Sequence, residues 1–141
     1  LNILKSVIVS LALLTVLSGC ALFGGDPSDG DLIYGEALVD SISIEILESF
    51  PVQVRVVAVG NLQDACTGVS SVDVMKSGNT FDVSIKTSRP ADMSCAQVLT
   101  PFEESFMLDV YGLPAGNYVV DVNGVTESFE LEVDNAPPGN Q

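Results

Sequence analysis

The sequence predicts an all-β domain, a seven-stranded antiparallel sandwich, on three observations. Apolar residues alternate with polar ones at period two, turn-forming residues interrupt that pattern at short intervals, and no stretch carries the spacing of an amphipathic helix. Period two sends successive side chains to opposite faces of a strand, so each run offers one face to a shared core and one to water.

In the first strand Ile42, Ile44 and Ile46 alternate with Ser43 and Glu45. After Pro51 the second carries Val52, Val54 and Val56 around Gln53 and Arg55, and the aliphatics of both should point inward. Val72 and Val74 open a third strand. Ser77-Gly78-Asn79 turns it into a fourth, in which Phe81, Val83 and Ile85 alternate with Asp82, Ser84 and Lys86. Phe106, Leu108 and Val110 mark the fifth, and Tyr118, Val120 and Val122 the sixth. Asn123-Gly124 then predicts a tight hairpin, because both residues tolerate the positive φ that a two-residue type I′ turn requires. Phe129, Leu131 and Val133 make the seventh strand. Seven strands in about 92 residues have the density of an immunoglobulin-like sandwich. The string Leu113-Pro114-Ala115-Gly116-Asn117-Tyr118 resembles the loop and tyrosine corner that open the penultimate strand of such domains. Residues 61–69 and 87–101 lack clean alternation, carry one cysteine each, and read as two long loops.

The N-terminus reads differently. A short segment with Lys5 precedes the apolar run from Val7 to Leu17, the length of a secretory h-region and too short to span a bilayer comfortably. It ends in Leu17-Ser18-Gly19-Cys20, which resembles the lipobox of bacterial lipoprotein precursors. That resemblance implies a signal peptide over residues 1–19, cleavage before Cys20, and a diacylglyceryl group on the Cys20 sulfur. Two acyl chains anchor stably where one does not. The family's sorting rule assigns inner-membrane retention to an aspartate after the cysteine. Ala21 stands there instead, so the expected location is the cell envelope, on the outer membrane where two membranes exist and on the outer face of the cell membrane where there is one. Residues 20–31, rich in Gly, Asp, Pro and Ser, read as a flexible tether able to span about 35 Å. The sandwich should occupy residues 32–134, and residues 135–141, with Pro137-Pro138-Gly139, a disordered tail.

Of 141 residues, 19 are acidic and 5 basic, and there is no histidine. All the acids follow residue 19 and face only Arg55, Lys76, Lys86 and Arg89, so nineteen negative against four positive charges leave the mature part at −15. Such a surface repels nucleic acid and anionic headgroups. It suits a cationic partner, a divalent cation or a salty habitat, or serves only to keep an exported protein soluble. With Cys20 assigned to lipid, Cys66 and Cys95 remain in an exported, oxidising setting, where a disulfide is the natural reading and two free thiols the alternative. Closing about 30 residues would stabilise the fold by roughly 3 to 4 kcal/mol. The stretch from Cys66 through Arg89-Pro90-Ala91-Asp92 and Cys95 to Pro101-Phe102-Glu103-Glu104 resembles small exported β-domains of bacteria whose role is undefined, which implies the same disulfide and fold.

Little in the chain suggests chemistry. Without histidine a Ser-His-Asp triad is excluded, and Lys76 and Lys86 occupy polar strand positions that suit solvated cations better than a base. Glu103 and Glu104, as strand neighbours, point to opposite faces and cannot pair as acid and base. Asp26, Asp29 and Asp31, or Asp121, Asn123 and Glu127, could surround calcium, but neither set has the twelve-residue loop spacing. No cofactor or metal is expected, and no enzymatic activity. The leading reading is a lipid-anchored binding or structural module of the envelope. Its loops Asn61–Val69 and Arg89–Thr100 would meet a protein partner through residues such as Arg89, Asp92 and Gln97. The runner-up is an acidic inhibitor of a cationic, lysozyme-like secreted hydrolase; a carboxylate-dependent enzyme ranks last.

Overall fold

The computed structural model describes residues 30–136 and residue 139. The expected signal peptide, Cys20, the expected tether up to residue 29 with Asp26 and Asp29, and residues 137, 138, 140 and 141 of the expected tail lie outside the described residues. Among those described, no helix is long and apolar enough to cross a membrane.

The domain is a β-sandwich of eight strands: β1 (Leu32–Glu36), β2 (Leu38–Leu47), β3 (Gln53–Leu62), β4 (Gly68–Ser77), β5 (Thr80–Pro90), β6 (Thr100–Leu108), β7 (Gly116–Val122) and β8 (Val125–Leu131). One sheet has the order β2-β3-β6. In the other, β5 pairs with β4 along its length, and with β1 and β7 at its two ends, while β8 closes the sheet beyond β7. Most of the alternating rows meet in the core, where Val54, Val56, Ala58, Phe81, Val83, Ile85, Leu108, Tyr118, Val120, Val122, Phe129 and Leu131 are all buried, whereas Ile46, expected to face inward, is exposed. Phe81, Tyr118 and Phe129 pack as an aromatic trio with centroids 5.5 to 6.2 Å apart. The Tyr118 hydroxyl donates to the Pro114 carbonyl at 2.8 Å, the hydrogen bond that defines a tyrosine corner. Gly60 is fixed by crowding, since a Cβ there would sit 2.0 Å from the Leu38 carbonyl oxygen.

Four expectations change. There are eight strands rather than seven, because Leu32–Glu36 pairs with the end of β5 although all five of its residues are exposed and show no alternation. The sheets are not wholly antiparallel, because β5 and β7 run parallel from Thr80↔Val119 to Val83↔Val122. The two irregular loops shrink to residues 63–67 and 91–99, since β3, β4, β5 and β6 extend into them. The ordered chain also runs past residue 134, and Val133 is exposed beyond the end of β8. Asn135, assigned to the tail, is buried. Its side chain accepts from the Val52 N–H at 2.7 Å and donates to the carbonyls of Val52 and Val110 at 3.0 and 2.9 Å, tying the segment after β8 to the residue before β3 and to the segment after β6.

Between β1 and β7, which share one side of β5, a gap is left beside Ile85. Asn123 fills it. Its Oδ1 accepts from the Ile85 N–H at 2.9 Å, and its Nδ2 donates to the carbonyls of Ala37 and Ile85 at 2.9 and 3.0 Å. The turn that presents it has φ of 48° at Asn123 and 91° at Gly124, the doubly left-handed backbone the dipeptide predicts. An Asn123→Gly variant keeps this backbone but strands the Ile85 N–H, and should lose about 2 kcal/mol of stability. Urea unfolding checks it; a loss under about 0.5 kcal/mol would show that the amide is dispensable.

Candidate functional site

The inward row of β3, Val54-Val56-Ala58-Gly60-Leu62, continues at the same parity to Asp64, and the inward row of β5, Phe81-Val83-Ile85-Thr87, continues to Arg89. The two rows thus end in opposite charges that face each other across the sandwich. Asp64 Oδ2 accepts from Arg89 Nη1, with the Asp64 side chain 4% and the Arg89 side chain 24% exposed. Asp64 Oδ1 accepts from the N–H groups of Cys66 and Thr67 and from the Thr67 hydroxyl, each at 2.9 Å. Burial pushes the Asp64 carboxyl towards a higher pKa, but the Thr67 hydroxyl, the Cys66 N–H and the Arg89 guanidinium together hold it below its ordinary 3.8.

The same end of the sandwich is closed covalently. Cys66 and Cys95 form a disulfide with Cα atoms 5.7 Å apart, joining the β3–β4 loop to the β5–β6 loop. The Ala65 N–H donates to the Ala96 carbonyl beside it at 3.2 Å. Asp64 and the two cysteine sulfurs are close enough to hold a metal ion, but the sulfurs are joined to each other and the carboxylate is engaged with Arg89. The chain also enters here, where the Ala91 N–H donates to the Asp31 carbonyl at 2.8 Å.

Of the residues expected to meet a partner, Asp92 and Gln97 are exposed on the β5–β6 loop. The Arg89 guanidinium turns inward instead, which makes it a brace of this loop end. Sequence reading overlooked Asp64, whose signal was its parity with the inward row of β3. It also overlooked the loop's apolar side chains, Met93, Val98 and Leu99, each more than half exposed. Of the calcium candidates, Asn123 has both ends of its amide committed to backbone, and Asp121 Oδ1 accepts from the Gly124 N–H at 2.7 Å. Glu103 is exposed and Glu104 half-buried on opposite faces of β6, as their adjacency requires. Lys86 pairs with Asp73 at 2.8 Å.

Two outcomes follow for this end of the molecule. Replacing Cys66 and Cys95 together with alanine should lower stability by roughly 2 to 5 kcal/mol in denaturant unfolding; an unchanged midpoint would mean that the disulfide adds nothing to the Asp64 clamp. Asp64→Asn should destabilise at neutral pH by leaving Arg89 without its counter-charge. Because the folded pKa is depressed, the carboxylate's contribution is present above 3.8 and is lost as pH falls through the folded value. The stability gap between wild type and variant should therefore narrow as pH falls from 3.8 through the folded value. A gap constant across that range would contradict the charge argument.

The chain matches the model of the ORF11 beta-sandwich domain over residues 56–131, a span that holds Asp64, Arg89, both cysteines of the disulfide and Asn123. It is 36% identical over 95 residues to the uncharacterized 10.2 kDa protein in the HgiCIIM 5′ region of Herpetosiphon aurantiacus, covering 67% of this chain and 99% of that relative. It is also 36% identical over 83 residues to the 10.2 kDa protein in the HgiBIM 5′ region of the same organism, covering 59% of this chain and all of the relative. No solved structure matches the chain. Matched over more than half its length by the family model and over nearly the whole of a relative, the chain belongs to the ORF11 β-sandwich domain family.

Proposed function

We propose that the protein is a lipid-anchored binding module of the cell envelope, which meets a protein partner through the disulfide-braced β5–β6 loop. The observation that carries this reading is the exposure of Met93, Val98 and Leu99 on a segment of nine residues, 91–99, without strand structure, held at Cys95 by the disulfide. Apolar side chains kept in water on a braced loop favour association, because their burial against a partner removes apolar surface from water at little ordering cost. Asp92 and Gln97 on the same loop supply polar contacts around them. The Leu17-Ser18-Gly19-Cys20 string supports the anchor, and so does the entry of the chain beside this loop, which a tether of about 35 Å would keep near the membrane. The tyrosine corner supports an immunoglobulin-like assignment of the sandwich, whereas the parallel β5–β7 pair departs from the strict form.

The test uses the full chain expressed in a bacterial envelope and cross-linked in place. Wild type should partition into detergent and give a defined cross-linked partner. Cys20→Ala should lose the detergent partitioning. Met93→Ser/Val98→Ser/Leu99→Ser should keep the partitioning and wild-type stability but lose the partner. Detergent partitioning by Cys20→Ala would remove the anchor, and an unchanged cross-link in the triple variant would remove the loop as the binding surface.

A further inference from the structure

At the end of the sandwich opposite the disulfide, a cleft of about 450 Å³ opens between the ends of β2 and β8. Its floor is apolar, formed by Ile46, Val52, Leu131 and Val133. Its rim is acidic, because Glu48 follows β2, Glu130 projects outward from β8, and Glu132 follows two residues later at the same parity; all three are exposed. None of the lining residues is a lysine or arginine. The described residues hold four cations, and each is engaged elsewhere. Arg55 pairs with Glu45, Lys86 with Asp73 and Arg89 with Asp64, while Lys76 donates to the Gly78 carbonyl and lies 5.9 Å from the ring centres of Phe81 and Tyr118. Any side-chain counter-charge for the cleft therefore comes from outside the domain.

We propose that this cleft receives an extended basic segment of a partner protein. Charge selects the occupant: an anionic ligand is repelled by three glutamates, and a purely apolar one leaves them unanswered. Lysine and arginine satisfy both parts of the cleft, since their aliphatic stems can lie on the floor while their heads reach the rim. Extended backbone suits the walls, because β8 ends one sheet and β2 ends the other, each with a strand edge that the sheet order leaves unpaired. The proposal rests on the reading of the domain as a binding module, but uses the opposite end from the disulfide loop and other residues.

The full chain, immobilised, is titrated with three labelled peptides of equal length: alternating lysine and leucine, alternating lysine and serine, and alternating glutamate and leucine. The lysine-leucine peptide should bind, the lysine-serine peptide about fivefold more weakly for want of apolar contact, and the glutamate-leucine peptide not at all. Glu48→Gln/Glu130→Gln/Glu132→Gln should weaken the lysine-leucine peptide about tenfold or more. Asp82→Asn/Asp121→Asn, which neutralises an acidic pair on β5 and β7 away from the cleft lining, should leave binding within about twofold. Equal binding of the two lysine peptides, equal loss in the two acidic variants, or no binding to wild type would overturn the proposal. Loss of peptide binding in Met93→Ser/Val98→Ser/Leu99→Ser would overturn it too, placing the peptide at the loop. Retained peptide binding in that variant alongside an unchanged envelope cross-link would leave the cleft standing while the loop reading failed.

Discussion

A buried carboxylate constrains everything around it, because its charge must be met inside the fold. Asp64 meets this requirement with partners from two stretches of chain. Its own turn supplies two N–H groups and the Thr67 hydroxyl, and the end of β5 supplies the Arg89 guanidinium. The Arg89 Nη2 in turn reaches the Met93 carbonyl at 3.4 Å, so the same charge network touches the β5–β6 loop. Registering these segments sets Cys66 and Cys95 at bonding distance, and the disulfide fixes covalently what the ion pair arranges. The β5–β6 loop can then lack strand structure and still hold apolar side chains in fixed positions.

The same pair explains what the sequence concealed. Strands were legible wherever the inward row was aliphatic or aromatic, as in Phe81-Val83-Ile85 and Tyr118-Val120-Val122. They became illegible where the row continued in polar residues. Thr87 is buried and Arg89 turns inward, so hydropathy alone ends β5 four residues early, and Asp64 is hidden for the same reason. β1 failed differently: its residues are exposed on both faces, and its strand character comes only from pairing with residues 86–90, a non-local fact. The disulfide was legible because the resemblance of Leu17-Ser18-Gly19-Cys20 to a lipobox leaves Cys66 and Cys95 as a pair. The acidic cleft was not, because Glu48 and Glu130 are 82 positions apart and meet only through the packing of β2 against β8.

Two asparagines serve as joints where the ladders run out. Asn123 and Asn135 each present a carbonyl and an amide at the tip of a short side chain, which imitates a peptide group without needing a strand to carry it. Asn123 completes the side of β5 between β1 and β7, and Asn135 bridges the start of β3 to the segment after β6. Each spends both halves of its amide, so these buried polar groups specify where the chain sits without leaving an orphan.

The short strand β1 has a mechanical consequence. It lies antiparallel to the end of β5 in five residue pairs, from Leu32↔Pro90 to Glu36↔Lys86, and its far end is pinned by the Ala37 N–H to Ile85 and by Asn123 to the Ala37 carbonyl. A pull arriving through Asp31 and directed along the strand loads these pairs together, in shear, instead of opening them one at a time like a zipper. An edge strand with little buried surface can thus act as a strain-relief collar for the sandwich, resisting axial force far better than its modest share of the core suggests.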